Sequence, residues 1–147
     1  MPYIQPTIVS AAASGGSSEL FYAEITTTLD ATSTSEASPD NLVSLGAQTY
    51  AAVPIYLEFF CAAVTGAGVA TIACLWDANT ELFRWGDHRG EFDEGQAMFC
   101  KTKLTPTAGS HTYRVRVFGS GVTHWNAGSV SGGSGTYPPI YLRADLA

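Results

Sequence analysis

The densest group of potentially reactive side chains lies between positions 87 and 94. There Asp87-His88-Arg89-Gly90-Glu91-Phe92-Asp93-Glu94 places five carboxylate or imidazole groups within eight residues. Such a loop invites a calcium reading, because Ca²⁺ takes about 6–8 oxygen ligands. The regular spacing of an EF-hand loop is missing and Arg89 opposes a cation, so the residues favour a solvated loop. A two-carboxylate glycosidase needs paired acids roughly 5–10 Å apart across a sugar cleft, an arrangement that any acid-rich loop imitates in sequence. His88, His111 and His124 show neither HxH nor HExxH spacing and have no cysteine nearby. Cys61, Cys74 and Cys100 are odd in number, far apart, and each embedded in an apolar run. They read as buried, inert thiols of a chain assembled in a reducing cytosol. No GxSxG elbow occurs, and the glycines of Gly128–Gly135 are not followed by the lysine of a phosphate-binding loop. No catalytic residue, metal ligand or cofactor is assigned.

Recognition chemistry is better represented. Trp85 stands beside Asp87 and His88, and His124, Trp125 and Asn126 form a second cluster close to a loop. Exposed aromatic rings with amide or carboxylate neighbours can stack on sugars, so Trp85, His124, Trp125 and Asn126 are candidate ligand-binding residues. The alternative is that both tryptophans anchor a core or an interface.

The elements that must position these residues follow from composition and pattern. The chain has 147 residues, one domain's worth. It is 46% apolar and only 14% charged, against about 25% charged in an average soluble domain. Seven Lys and Arg against thirteen Asp and Glu give a net charge of −6. That balance opposes nucleic-acid binding, which relies on cations at phosphates, and a polybasic membrane anchor. The most apolar run, Ala51 to Val64, is broken by Pro54 and Glu58 and is too short to insert across a membrane. So little charge implies a surface of Ser, Thr and Gly, or one hidden against partner chains.

Residues 1–18 read as an arm and linker. Pro2 and Pro6 stiffen its start, Ala11 to Ser18 is small and flexible, and Tyr3, Ile4, Ile8 and Val9 are its candidate anchoring residues. The domain proper is 19–147. It holds almost no helical signal but about nine short alternating runs separated by Gly, Pro, Asn, Asp and Ser. These are Glu19–Leu29, Leu42–Ala52, Ile55–Val64, Val69–Trp76, Thr80–Trp85, Gln96–Leu104, His111–Phe118, Val122–Asn126 and Pro139–Leu146, with 86–95 and 127–137 as the longest connections. The pattern predicts an all-β sandwich or barrel.

Side chains alternate across a strand, so each run has two faces. Phe21, Ala23 and Ile25, then Ile55, Leu57, Phe59 and Cys61, then Met98 and Cys100, then Ile140, Leu142 and Ala144 form ordinary core faces. Behind them stand Tyr22 and Glu24, Tyr56, Glu58 and Phe60, Phe99 and Lys101, and Tyr141 and Arg143. The reverse sides of the Leu42 and His111 runs look solvated by comparison. Five rings at roughly 150–250 Å² each exceed the few hundred Å² of contiguous apolar surface that monomers usually show. If the four strands share a sheet, this face predicts a subunit interface, with Glu24, Glu58, Lys101 and Arg143 pairing across the seam.

Leu104–Phe118 (LTPTAGSHTYRVRVF), the glycine-rich Asn126–Gly135 and the closing Pro138–Arg143 (PPIYLR) occur in an order that resembles small jelly-roll virion proteins of tailed bacteriophages. The likeness is to the minor tail or decoration type, particularly of phages infecting actinobacteria. It covers roughly residues 20–147 and not the arm. It implies a two-sheet antiparallel jelly-roll sandwich, similar to the tumour-necrosis-factor/complement-like fold. In that fold the first, third, sixth and last major strands share a sheet whose outer face meets a three-fold axis. The implied role is non-enzymatic: a homotrimer on the outside of a virion assembled in the host cytoplasm. Its extended N-terminal arm would anchor it to a major capsid or tail protein. A receptor- or glycan-binding module at a tail or fibre tip, contacting host cell-surface glycan, is the alternative.

Overall fold

The computed structural model describes residues 7–9, 18–66, 70–88, 92–129 and 135–147, with side chains for all of these except 7–9, 86–88 and 92–94. Among the described residues there is no helix. In chain order the strands are β1 (Thr7–Val9), β2 (Glu19–Ile25), β3 (Leu29–Ala31), β4 (Asp40–Ser44), β5 (Gln48–Tyr50), β6 (Ile55–Gly66), β7 (Thr71–Asp77) and β8 (Thr80–His88). They continue with β9 (Phe92–Leu104), β10 (Gly109–His111), β11 (Tyr113–Gly119), β12 (Thr123–Asn126), β13 (Gly128–Ser129), β14 (Thr136–Tyr137) and β15 (Ile140–Leu146).

Eight principal strands form two antiparallel sheets. In the larger, β2, β15, β6 and β9 lie side by side. The smaller has the order β4-β11-β7-β8. Counted among the eight, these are the first, eighth, third and sixth strands opposite the second, seventh, fourth and fifth, the interleaved order of a jelly roll. The short β12 continues the line of β15 along β6, and β3 continues that of β2. The four runs whose reverse sides carry the rings and charges therefore do share one sheet.

The core lies between the sheets and consists of the inward positions expected from alternation. Ala23, Leu57, Phe59, Cys61, Leu142 and Ala144 from the larger sheet meet Val43, Leu75, Val115 and Val117 from the smaller. All three cysteines are buried and free, and burial pushes their thiols up to about 11, 12 and 11 for Cys61, Cys74 and Cys100. Thiolate, the reactive form, is thereby suppressed.

Several expected runs are split, each for a local reason. Leu42–Ala52 breaks at Gly46, whose φ of 69° turns the chain. Ser44 Oγ accepts the Gly46 N–H at 3.1 Å, and β5 then leaves to pair with β10. Glu19–Leu29 breaks at Thr26–Thr28, where Gly128, with φ of 68°, brings its backbone against the Thr26 carbonyl so closely that no Cβ fits. The segment 86–95, expected as a connection, is largely strand: β8 runs to His88 and β9 begins at Phe92. The side chains of the acidic segment 87–94, and glycine-rich residues 130–134, lie outside the described residues.

At one end of the sandwich Asp77 ties two corners together. Its Oδ1 accepts the Thr112 N–H at 2.8 Å, and its Oδ2 lies 2.6 Å from His111 Nδ1. His111 Nε2 faces the Thr107 carbonyl at 2.9 Å. Both ring nitrogens meet acceptors, which suits the doubly protonated imidazolium. The hydrogen bond to Asp77 holds the imidazole above its ordinary value, outweighing the opposing effect of burial.

Candidate functional site

The outer face of the larger sheet carries most of the residues singled out from the sequence. Strand register sorts them into rows. One runs Glu24–Tyr141–Phe60–Phe99, the next Tyr22–Arg143–Glu58–Lys101, and a third Asp145–Tyr56–Lys103. Each row crosses the sheet towards β9, because residues directly opposite in an antiparallel pair share a face.

At the centre sits Glu58, only 4% exposed. Its Oε1 accepts the Tyr141 hydroxyl at 2.9 Å and Arg143 Nη2 at 2.8 Å, and its Oε2 lies 3.2 Å from Lys101 Nζ. Burial alone would raise this carboxyl. The hydrogen bonds from Tyr141, Lys101 and Arg143 more than offset it and hold the group below its ordinary 4.5. Arg143 Nε also reaches Asp145 Oδ2 at 3.2 Å. These pairs close within one chain. Glu58, Lys101 and Arg143, expected to pair across a seam, are cross-strand neighbours that satisfy one another within the chain.

The rings are likewise partly self-covering. Tyr22 stacks on Tyr141 at 5.8 Å between centroids, and Tyr141 on Phe60 at 5.7 Å. Lys101 Nζ sits 4.8 Å from the centre of the Tyr56 ring, a cation–π distance. Tyr22, Tyr56, Phe60 and Tyr141 are half-buried as a result. Phe99 is not: 59% of it is exposed, at the end of its row on β9. The apolar surface is thus smaller than five free rings would make it, and it is concentrated on one margin.

The charges are also unevenly distributed. Lys101 and Lys103 are exposed on β9. Glu24 lies on the far side of the face from β9, on β2, where its Oε2 accepts the Tyr22 hydroxyl at 2.7 Å. Desolvation, then Glu24 and Glu19, push that phenol well above its ordinary value. Beyond β2, the backbone of β1 pairs with Thr7 opposite Glu24, Ile8 opposite Ala23 and Val9 opposite Tyr22. The expected anchoring residues Tyr3 and Ile4 lie outside the described residues, as do the side chains of Ile8 and Val9.

The proposed ligand cluster does not form. Trp125 is fully buried, 6.1 Å from Phe59 between ring centroids, with its Nε1–H donated to Thr123 Oγ1 at 3.2 Å. Trp85 stacks on the opposite side of the core against Phe59 at 6.2 Å. Asn126 is buried and gives its amide hydrogens to Ala63 O, Thr65 Oγ1 and His124 O. Trp85 is half-buried, and His124 is exposed and pairs with Asp30 at 2.6 Å. Both tryptophans pack against the core, and Trp125 offers no face to a sugar. Among the described residues no three His, Cys, Asp or Glu side chains are grouped to hold a metal.

Sequence reasoning missed a second feature, on the outer face of the smaller sheet. The reverse side of the His111 run, expected to be solvated, includes Phe118, which packs with Cys74 and Trp76 of β7 in a small buried cluster. Arg116 lies 4.8 Å over the Trp76 ring, and Arg84 lies 5.8 Å over Phe118. Arg84 in turn pairs with Glu36 and Glu81, strapping the 32–39 loop over this face. The signal was present in Ile72, Cys74 and Trp76, which make β7 apolar on both sides.

No family model matches the sequence, and no curated protein does. Among solved structures the chain is similar to one in infectious bursal disease virus, Gt strain, with 11% identity and a TM-score of 0.38, over 94% of this chain and 43% of that one. The Gx strain gives 11% identity and a TM-score of 0.38, over 96% and 42%. The chain thus spans about two fifths of the length of the chains it matches, and at this level the likeness identifies neither a family nor a function.

Proposed function

We propose that this chain is a non-enzymatic structural protein of a bacteriophage virion. In this reading it is a homotrimer on the outside of the particle, associated through the outer face of the larger sheet and anchored to a capsid or tail protein by its N-terminal arm. The observation that supports association most directly is Phe99, a large apolar side chain left 59% exposed on a face otherwise closed by internal pairs. Burying that exposed part removes about 90–150 Å² from water if the whole side chain counts for about 150–250 Å². At about 25 cal/mol per Å² it stabilises each contact by about 2–4 kcal/mol.

Association costs an estimated 4–15 kcal/mol in lost freedom, so Phe99 alone cannot hold a complex. Tyr22, Tyr56, Phe60 and Tyr141 must lose their remaining exposure at the same time. Among the described residues His111 is bound to Asp77, His124 to Asp30, and the three thiols are buried. The virion assignment draws on the sequence resemblance in the segments 104–118 and 138–143. The glycan-binding alternative required exposed tryptophans, and Trp125 is buried.

Locating the chain in intact phage particles by cryo-electron microscopy tests the reading. Density for three copies around a three-fold axis on the capsid or tail exterior is the expected result. Recovery of the chain only as a free monomer, absent from purified particles, would refute it.

A further inference from the structure

We infer that self-association is head to tail, the β9 margin of one copy (Phe99, Lys101, Lys103) docking on the outer face of the next at β2 (Tyr22, Glu24). This rests on the trimer reading above and specifies its contact. A three-fold ring needs two different patches on every chain, because each copy meets one neighbour on either side. The outer face of the larger sheet supplies two of opposite character.

Its β9 margin is cationic and carries the most exposed ring. Lys103 lies 5.6 Å from the centre of the Tyr56 ring, and among the described residues no carboxylate pairs with it. Lys101 already shares Glu58, but 41% of its side chain remains exposed. The face at β2, which β1 borders, is anionic: the Glu24 carboxylate stands beside Tyr22, whose ring supplies an apolar surface next to the charge. Between the two patches, Glu58 and Asp145 against Arg143 and Lys101 form a closed network with little charge left to attract or repel a partner. Attraction between copies is therefore directed from patch to patch. Phe99 against Tyr22 supplies apolar contact, and Lys103 against Glu24 sets register, the role that complementary charges usually play at an interface.

Charge reversal tests this without touching the Glu58 network. Lys103→Glu and Glu24→Lys are each expected to weaken the trimer at least tenfold, measured by sedimentation equilibrium at low salt. The double variant should return to within about threefold of the parent. A mixture of the two single variants should not rebuild a full trimer, because three places in a ring cannot alternate between two kinds of chain. Circular dichroism of each variant establishes that it is folded, and Phe99→Ala supplies an uncharged check with the same expected loss. A parent trimer indifferent to both reversals and to Phe99→Ala overturns the docking scheme and leaves the trimer standing. Rescue by mixing as complete as by the double variant points to paired rather than three-fold contacts and also overturns it. A monomeric parent overturns the trimer reading itself.

Discussion

Removing the Glu58 carboxylate is the sharpest test of the network that holds the outer face together. In Glu58→Ala, Tyr141, Arg143 and Lys101 lose a shared acceptor that is 4% exposed. Breaking a fully buried ion pair costs about 3–5 kcal/mol. Here the cations are 36% and 41% exposed and can recover water, so that figure is an upper bound. Hydrogen bonds to a charged group contribute about 1.5–3 kcal/mol, and the Tyr141 bond is the least replaceable. The expected loss is about 2–3 kcal/mol. Glu58→Gln, which keeps the acceptor for Tyr141 but not the charge, should lose about half of that. With a urea m-value of about 1–3 kcal/mol per M, the alanine variant moves the midpoint by about 0.7–3 M. Urea titration at a fixed protein concentration measures it, since association would otherwise enter the apparent stability. Because the folded-state carboxyl is depressed, its stabilisation is complete above the ordinary 4.5 and disappears as pH falls through the lower folded value. Parent and variant should therefore converge in acid. A cost below about 0.5 kcal/mol at neutral pH, or a gap that persists in strong acid, would refute the reasoning.

Trp125→Ala should cost about 3–5 kcal/mol, the range for truncating a large buried aromatic, read as a fall in the unfolding midpoint; a near-neutral result would mean that Trp125 is not packed in the core. His111 makes the opposite pH prediction to Glu58. Its folded-state value is raised, so its contribution is complete below the ordinary 6.5 and lost as pH rises through the folded value. Stability profiles of the parent and His111→Gln should converge in mild alkali, and parallel profiles would exclude an imidazolium. Gly128→Ala meets the Thr26 carbonyl at a φ of 68°, whereas Gly109→Ala, at a φ of 141°, meets nothing within 4 Å. Both substitutions strain a positive φ, so the difference comes from the overlap alone: the first should destabilise by about 1–3 kcal/mol more than the second; equal unfolding midpoints would contradict this.

Strand alternation made much of the architecture legible. Tyr56, Glu58 and Phe60 could be assigned to one side of β6 and Ile55, Leu57 and Phe59 to the other by counting, because the pleat has period two. The same counting could have prevented the ligand-site error: Trp125 lies on the opposite side of β12 from His124 and Asn126, so one ligand could not meet all three. Depth and partner choice were not legible. Nothing in the spacing of Glu58, Lys101 and Arg143 indicates that they satisfy one another within a chain; that depends on a register set by strands distant in sequence. The split of Leu42–Ala52 was also hidden, since one glycine with positive φ sends β5 to β10. Apolar residues on both sides of β7 did announce the Cys74–Trp76–Phe118 cluster, but not the arginines that roof it.

The native mass of the purified chain across a dilution series tests the central claim most directly. Three copies of 15.5 kDa, about 46 kDa, that fall to single copies in Phe99→Ala are the expected result. A 15.5 kDa species at every concentration, with Phe99 in solvent, would contradict the account.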